Sequence, residues 1–392
     1  MLVGIVGRPN SGKSTFFKAA TLMDVLIANY PFATIKPNHG MAYVKIRDLA
    51  ADYGKVSNPR EGYVRKGLRF VPFELMDVAG LVEGASTGRG LGNEFLNDLS
   101  TADAFIHIVD MSGETDGEGK PAKDYYPGKD IKIIENELDL WYLGILKKVW
   151  ASFARTVEMQ KKNFAESVAK QFSGLKVNAE DVKAVVLKSK LNPEKPAAWS
   201  EADLARFANL LRKGTKAMII AANKMDRPNS EANFEKVKKE FDYPIIPCFA
   251  DGELSLRQAD KAGLIDYIPG EKTFEIKKEL NEKQKAALEE IEKIMEKYGS
   301  TVVQEIMNKV VFDIMKYVAV FPASSTKMTD SKGNVLPDCY LMKEGSTALD
   351  FAFRLHTDIG NNFVKAISLK TKQAVGKDYV LKHLDGIEII TR

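Results

Sequence analysis

The chain has 392 residues, 45% of them hydrophobic and 28% charged, an ordinary water-soluble composition with room for two or three domains. Its formal charge of +4, from 57 Lys and Arg against 53 Asp and Glu, is too mild to mark a nucleic-acid-binding protein, so any such role must rest on where the charge sits. The two cysteines, Cys248 and Cys339, are far apart and read as reduced, partly buried thiols. The opening MLVGIVG is too short for a signal-peptide core and no apolar run approaches the ~18 residues of a membrane span, so a cytoplasmic protein without membrane association is expected.

The chain opens on a strand, LVGIVG (2–7), followed at once by GRPNSGKST (7–15) and an apolar helix start, TFFKAA. Further strands are expected at MAYVKI (41–46), LRFVPFELMDV (68–78) and AFIHIVD (104–110). These runs are continuous rather than alternating, as in strands covered on both faces of a mostly parallel sheet, so the fold class is α/β. From 111 to 215 the strand signal stops and a helical insertion is expected. In 133–172 the apolar positions Ile134, Leu138, Trp141, Ile145, Val149 and Phe153 share one helical face that packs on other helices, as an antiparallel pair, and Ser200 is the N-cap of a last helix returning to the sheet. AMIIAANK (217–224) and YPIIPCF (243–249) complete a six-stranded sheet, so one domain comprises 1–110 and 216–321. A charged helix follows at 281–299, and from 322 to 392 the pattern is that of a small mixed α and β domain.

Three short motifs carry chemistry. GRPNSGKST fits G-x-x-x-x-G-K-[ST] in the strand–loop–helix context that gives the pattern its meaning. Gly7 and Gly12 allow the tight turn, the stretch Arg8, Pro9, Asn10, Ser11, Gly12, Lys13, Ser14 and Thr15 surrounds the phosphates, Lys13 adds positive charge and the Ser14 hydroxyl suits Mg²⁺. Pro9 lacks an N–H and only stiffens the loop. In DVAG (77–80) Asp77 would hold Mg²⁺ through water and the Gly80 N–H would meet the γ-phosphate, which makes Lys13 and Gly80 catalytic candidates. NKMD (223–226) selects the base: the Asp226 carboxylate accepts from both guanine donors, an arrangement adenine lacks, while Asn223 and the Lys224 stem brace the loop and cover the purine. GTP and GDP are therefore the expected ligands. His107 and His356 read as residues without a catalytic role.

With these motifs placed, the sequence resembles the Obg superfamily of translation-factor-class GTPases, and within it the GTP-specific archaeal and eukaryotic relatives of YchF. NYPFATIKPNHG (29–40) is similar to that family's switch I, DVAGLVEGASTGRGLGNEFL to its glycine-rich switch II, and GSTALDFAFRLHTDIGNNFVKAI with DGIEII to a C-terminal TGS domain. The resemblance implies a P-loop GTPase fold, with Thr34 as a Mg²⁺ ligand and catalytic residue and Ala250 offering its N–H to guanine O6. It also implies ribosome or RNA association, with no DNA specifically indicated and a monomer expected. Leu81 stands where many GTPases carry the water-orienting glutamine, so slow hydrolysis is expected, with charge supplied by K⁺ at Asn10, by a partner or by Arg89. Two basic clusters, Lys55, Arg60, Arg65, Lys66 and Arg69, then Lys365, Lys370, Lys372, Lys377 and Lys382, are candidate RNA surfaces. The competing classes are an RNA-binding module with a structural nucleotide and a metabolic P-loop phosphotransferase.

Overall fold

A computed structural model describes residues 1–21, 39–78, 84, 100–324, 328–330 and 332–392. The larger sheet contains β1 (Leu2–Val6), β2 (His39–Arg47), β3 (Tyr63–Arg65), β4 (Leu68–Asp77), β5 (Ala104–Asp110), β6 (Ala217–Asn223) and β7 (Ile245–Pro247). Its order is β2-β4-β1-β5-β6-β7, with β3 paired to β4. The pairs β1/β4, β1/β5, β5/β6 and β6/β7 are parallel, and β2 and β3 run antiparallel to β4. Among the described residues the sheet thus has seven strands rather than six, because β3 is only three residues long and leaves no periodic signal.

Every residue of β5 is buried, as expected for a central strand covered on both faces. On one face Ile106, Ile108, Ile219 and Ala221 pack with Phe16 and Phe17 of α1 (Lys13–Thr21). On the other, Phe105 and Met218 meet the helical insertion. The insertion consists of α2 (Gly128–Met159), α3 (Phe164–Gln171), α4 (Ala179–Ser189) and α5 (Glu201–Thr215). Instead of an antiparallel pair within 133–172, one long helix runs to Met159, and α5 is among its packing partners.

Past Trp141 the buried stripe of α2 runs through Tyr142, Leu146, Trp150 and Ala154, while Ile145, Val149 and Phe153 sit half-buried at its edge. Both sets have helical spacing. The choice between them is made by an aromatic cluster in which Trp150 lies 5.3 Å from Trp199, itself 5.2 Å from Phe207 on α5. Ser200 caps α5 reciprocally with Asp203, as the sequence suggested.

After β6 come α6 (Ser230–Glu240), α7 (Ala250–Lys261), the hairpin β8 (Ile265–Tyr267) and β9 (Phe274–Ile276), α8 (Glu282–Tyr298) and α9 (Val303–Asn308). The C-terminal sheet has the order β11-β10-β14-β12-β13, from β10 (Tyr317–Pro322), β11 (Tyr340–Lys343), β12 (Phe363–Ser368), β13 (Ala374–Val375) and β14 (Asp385–Thr391). Its first strand begins at Tyr317, ahead of the boundary expected at 322. Helices α10 (Ala348–Leu355) and α11 (Thr357–Asn361) accompany it.

Four residues of the first basic cluster are engaged within the chain. Arg60 pairs with Asp330 and Asp338, Arg65 with Asp260 and Asp266, and Lys66 with Asp266. Arg69 is buried and donates to the carbonyls of Leu336, at 2.5 Å, and Pro337, at 3.0 Å. These side chains fasten parts of the chain that are distant in sequence, which sequence proximity could not reveal. The second cluster, Lys365, Lys370, Lys372, Lys377 and Lys382, is exposed.

Replacing Arg69 by Leu would leave the buried Leu336 carbonyl without its donor, at about 1–3 kcal/mol, while the Pro337 carbonyl keeps the Arg60 N–H at 3.0 Å. Urea denaturation should show a loss of about 1–3 kcal/mol for Arg69→Leu, whereas Arg60→Ala, an exposed pair, should lose less than about 1 kcal/mol.

Candidate nucleotide-binding site

The parallel strands bring their carboxyl ends to one edge of the sheet, where the loops that follow β1 and β6 lie beside the end of β4 at Asp77. Gly12 has φ +97°, and a Cβ there would lie 2.2 Å from the Asn223 amide nitrogen. At Gly7 a Cβ would come within 2.6 Å of the Ile108 carbonyl oxygen. Both glycines therefore let backbone approach neighbouring groups that any side chain would displace.

Lys13 is buried, and its ammonium donates to the Arg8 carbonyl at 2.9 Å, bending back over the loop. Burial lowers its pKa, against the pull of Asp77. The Ser14 hydroxyl donates to Asp77 Oδ2 at 3.1 Å, and Asp77 Oδ1 is buried without a hydrogen-bond partner among the described residues. Burial raises the Asp77 pKa, with Lys13 opposing it. A serine hydroxyl beside an unsatisfied carboxylate oxygen is the hard-oxygen donor set that Mg²⁺ takes when phosphate and water supply the other ligands, so these residues fit the ion. Thr34, Gly80, Leu81 and Arg89 lie outside the described residues.

Asn223 joins the phosphate loop to the base loop. Its amide nitrogen donates to the Ser11 carbonyl at 3.1 Å, and its Oδ1 accepts from the Ala250 N–H at 3.2 Å. The Ala250 N–H expected to meet guanine O6 is therefore already engaged by Asn223. Asp226 keeps its carboxylate partly open beside Arg227, 3.1 Å away, and burial raises its pKa. Phe249 holds the loop through its backbone: its N–H donates to the Thr301 carbonyl at 3.0 Å. Thr301 also hydrogen-bonds the wholly buried Glu253, which accepts from Tyr267 at 2.7 Å and Arg257 at 2.6 Å.

Arg8 is placed away from the expected phosphate position. Its Nε donates to Asp130 Oδ2 at 2.5 Å, and its Nη2 reaches the Thr115 carbonyl at 3.1 Å. Asn10, at φ +62°, donates from Nδ2 to the Gly119 carbonyl at 3.0 Å. The backbones of Pro9 and Gly12 remain in the turn, and Thr15 lies in the first turn of α1. Asp130, Thr301 and Glu253 thus support the site although no motif contains them. A buried acid with several donors is a tertiary arrangement and has no local signature.

His107, in register with Val6 on β1, is wholly buried, and neither ring nitrogen has a hydrogen-bond partner among the described residues. Burial, helped by the charges of Lys13 and Arg8, lowers its pKa to about 3. It is a neutral core residue, as its strand context implied.

Family models match residues 2–139, as a 50S ribosome-binding GTPase, residues 221–325, as the G4 motif-containing domain of the YGR210-like Obg-like GTPases, and residues 328–391, as a TGS domain. A Methanocaldococcus jannaschii protein named as an uncharacterized GTP-binding protein is 46% identical over 394 residues, covering 100% of this chain and 99% of the relative. A similarly named protein of Schizosaccharomyces pombe is 33% identical over 363 residues, with coverage of 89% and 88%. The crystal structure of a GTP-binding protein from Pyrococcus horikoshii OT3 covers 100% of both chains at 38% identity, with a TM-score of 0.81. The chain belongs to the Obg-like GTPases, in the YGR210-like branch related to YchF: a P-loop G domain with a helical insertion and a C-terminal TGS domain.

Lys13→Ala removes a desolvated charge, and the Arg8 carbonyl it contacts keeps the Ser11 hydroxyl at 3.0 Å, so little loss of stability is expected. Lys13→Ala should bind GTP at least roughly a hundredfold more weakly by fluorescence titration, since a buried charged contact is worth about 3 kcal/mol. Its melting temperature without nucleotide should barely change. His107 adds a pH dependence: with its folded pKa depressed to about 3, it favours the native state fully above its ordinary pKa and opposes folding progressively as pH drops towards 3. His107→Phe should flatten that acid limb, whose slope from this group approaches about 1.4 kcal/mol per pH unit, when stability is measured by urea denaturation.

Proposed function

We propose that the protein binds GTP with Mg²⁺ and hydrolyses it slowly to GDP and phosphate, acting in the cytoplasm as a nucleotide-dependent switch on ribosomes or RNA. The observation that carries this reading is the Asn223 side chain, bonded both to the phosphate loop at Ser11 and to the base loop at Ala250. It brings the Lys13, Ser14 and Asp77 cluster and the Asp226 carboxylate into one site. Asp226 supplies the paired acceptors that guanine requires. Ser14 and Asp77 would hold Mg²⁺, which neutralises phosphate charge, with Thr34 and Gly80 as the proposed switch contacts.

Leu81 cannot orient a water molecule, which supports a low intrinsic rate. Asn10 is the proposed K⁺ contact: with Nδ2 tied to the Gly119 carbonyl, its Oδ1 remains as an acceptor. Association with ribosomes is supported by the match of the N-terminal region to a ribosome-binding GTPase model and by the exposed lysines of the TGS domain.

The wild type should bind GTP far more tightly than ATP. Asp226→Asn, which replaces one acceptor oxygen by a donor, should weaken GTP at least roughly a hundredfold and favour xanthosine triphosphate, whose 2-oxo group accepts from that donor. Equal affinity for GTP and ATP would refute the base assignment. Phosphate release should be several times slower in Na⁺ than in K⁺ at fixed ionic strength, and sedimentation with ribosomal particles should differ between GTP-analogue and GDP states.

A further inference from the structure

The last residues of β5 and β6, Asp110 and Asn223, are paired in register, so the residue after Asn223 emerges beside the Asp110 side chain. That residue is Lys224, and its ammonium lies 2.8 Å from Asp110 Oδ2. The carboxylate is wholly buried and is surrounded by donors. Oδ1 accepts from the Ser112 N–H at 3.0 Å and hydroxyl at 2.6 Å, while Oδ2 also accepts from Thr115 Oγ1 at 2.9 Å and faces Arg8 Nη2 at 3.5 Å. Burial opposes its charge, but Lys224 and Ser112 outweigh burial and hold the carboxyl below its usual range. Lys224 itself has φ +64°, a left-handed conformation unfavourable for a side-chain-bearing residue, and its carbonyl accepts from Ser230 Oγ at 2.7 Å. Both its backbone and its ammonium are thus held before any ligand arrives.

We infer that Asp110 is a positioning residue for guanine-nucleotide binding, which acts by tethering the Lys224 ammonium so that its aliphatic stem is preordered as the platform for the purine face. The inference rests on the assignment of the Asn223–Asp226 loop as the base site. A lysine side chain is among the most rotamer-rich, and one that is free in the empty protein must lose that freedom when a base lies on its stem. Here Asp110 imposes the loss at folding instead of at binding, the usual origin of preorganised affinity. The same carboxylate faces Arg8, whose other partner is Asp130 in the first turn of the long insertion helix α2, so the tether is built into the contact between insertion and phosphate loop.

The test is a double-mutant cycle on the full chain, read by titration with fluorescent GDP and GTP and with melting curves for every variant. Asp110→Asn should weaken GDP and GTP equally, by roughly tenfold, the scale of an unfrozen lysine side chain. In a Lys224→Ala background the same substitution should change affinity less than about twofold, because the stem it served is gone. Multiplicative losses would mean that Asp110 merely supports the 110–115 turn and would overturn the inference, as would a loss confined to GTP, which would place its action at the γ-phosphate. Should Asp110→Asn not fold, Lys224→Met decides: it keeps an apolar stem but cannot be tethered, so it should show the same loss, and wild-type affinity would overturn the inference. If the wild type binds no guanine nucleotide, the base-site assignment itself fails and takes this inference with it; if it binds normally and the cycle is additive, only the tether is wrong.

Discussion

The site depends on one side chain that two loops share. Asn223 gives its amide N–H to the Ser11 carbonyl and takes the Ala250 N–H on its oxygen, so the loop that would hold phosphate and the loop that would hold the base cannot move independently. The bond is possible only because Gly12 has no Cβ to occupy the 2.2 Å gap to Asn223. It also requires β1, β5 and β6 to run parallel and end at the same edge, which the continuous burial of β5 enforces. Loop, strand order and glycine are therefore one constraint seen at three scales.

Around that link the protein places buried polar groups whose partners come from elsewhere in the chain. Glu253 ties the start of α7 to Tyr267 and Thr301, and Thr301 in turn receives the Phe249 N–H. Such groups are expensive to bury unless every partner is in place. They brace the base loop from behind. Asp130 plays the matching part on the other side, holding Arg8 and the Tyr125 hydroxyl together at the start of the insertion.

The charges of the site are poised in the opposite sense. Lys13 is buried and Asp77 half-buried, and desolvation shifts each towards its neutral form. Among the described residues neither is fully compensated, and Asp77 Oδ1 has no hydrogen-bond partner. A polyphosphate with its metal ion would supply counter-charges to both groups.

The nucleotide motifs were legible in the residues themselves, because a strand followed by GRPNSGKST, then DVAG, then NKMD prescribes backbone geometry locally through glycine and fixes the order of loops. The α/β class was legible from the continuous apolar runs, and the Ser200 cap from its own tetrapeptide. Tertiary structure alone decided which stripe of α2 is buried, since Ile145 and Leu146 are adjacent apolar residues on one helix and only the packing of Trp150 against Trp199 distinguishes their stripes. It decided that Arg60, Arg65 and Arg69 bind acids and carbonyls of this same chain, and that Arg8 turns to Asp130 instead of towards the expected phosphate position. The physical reason is common to these cases: a periodic pattern or a glycine acts on its immediate neighbours, whereas the partner of a charge is whatever the fold brings within about 3 Å.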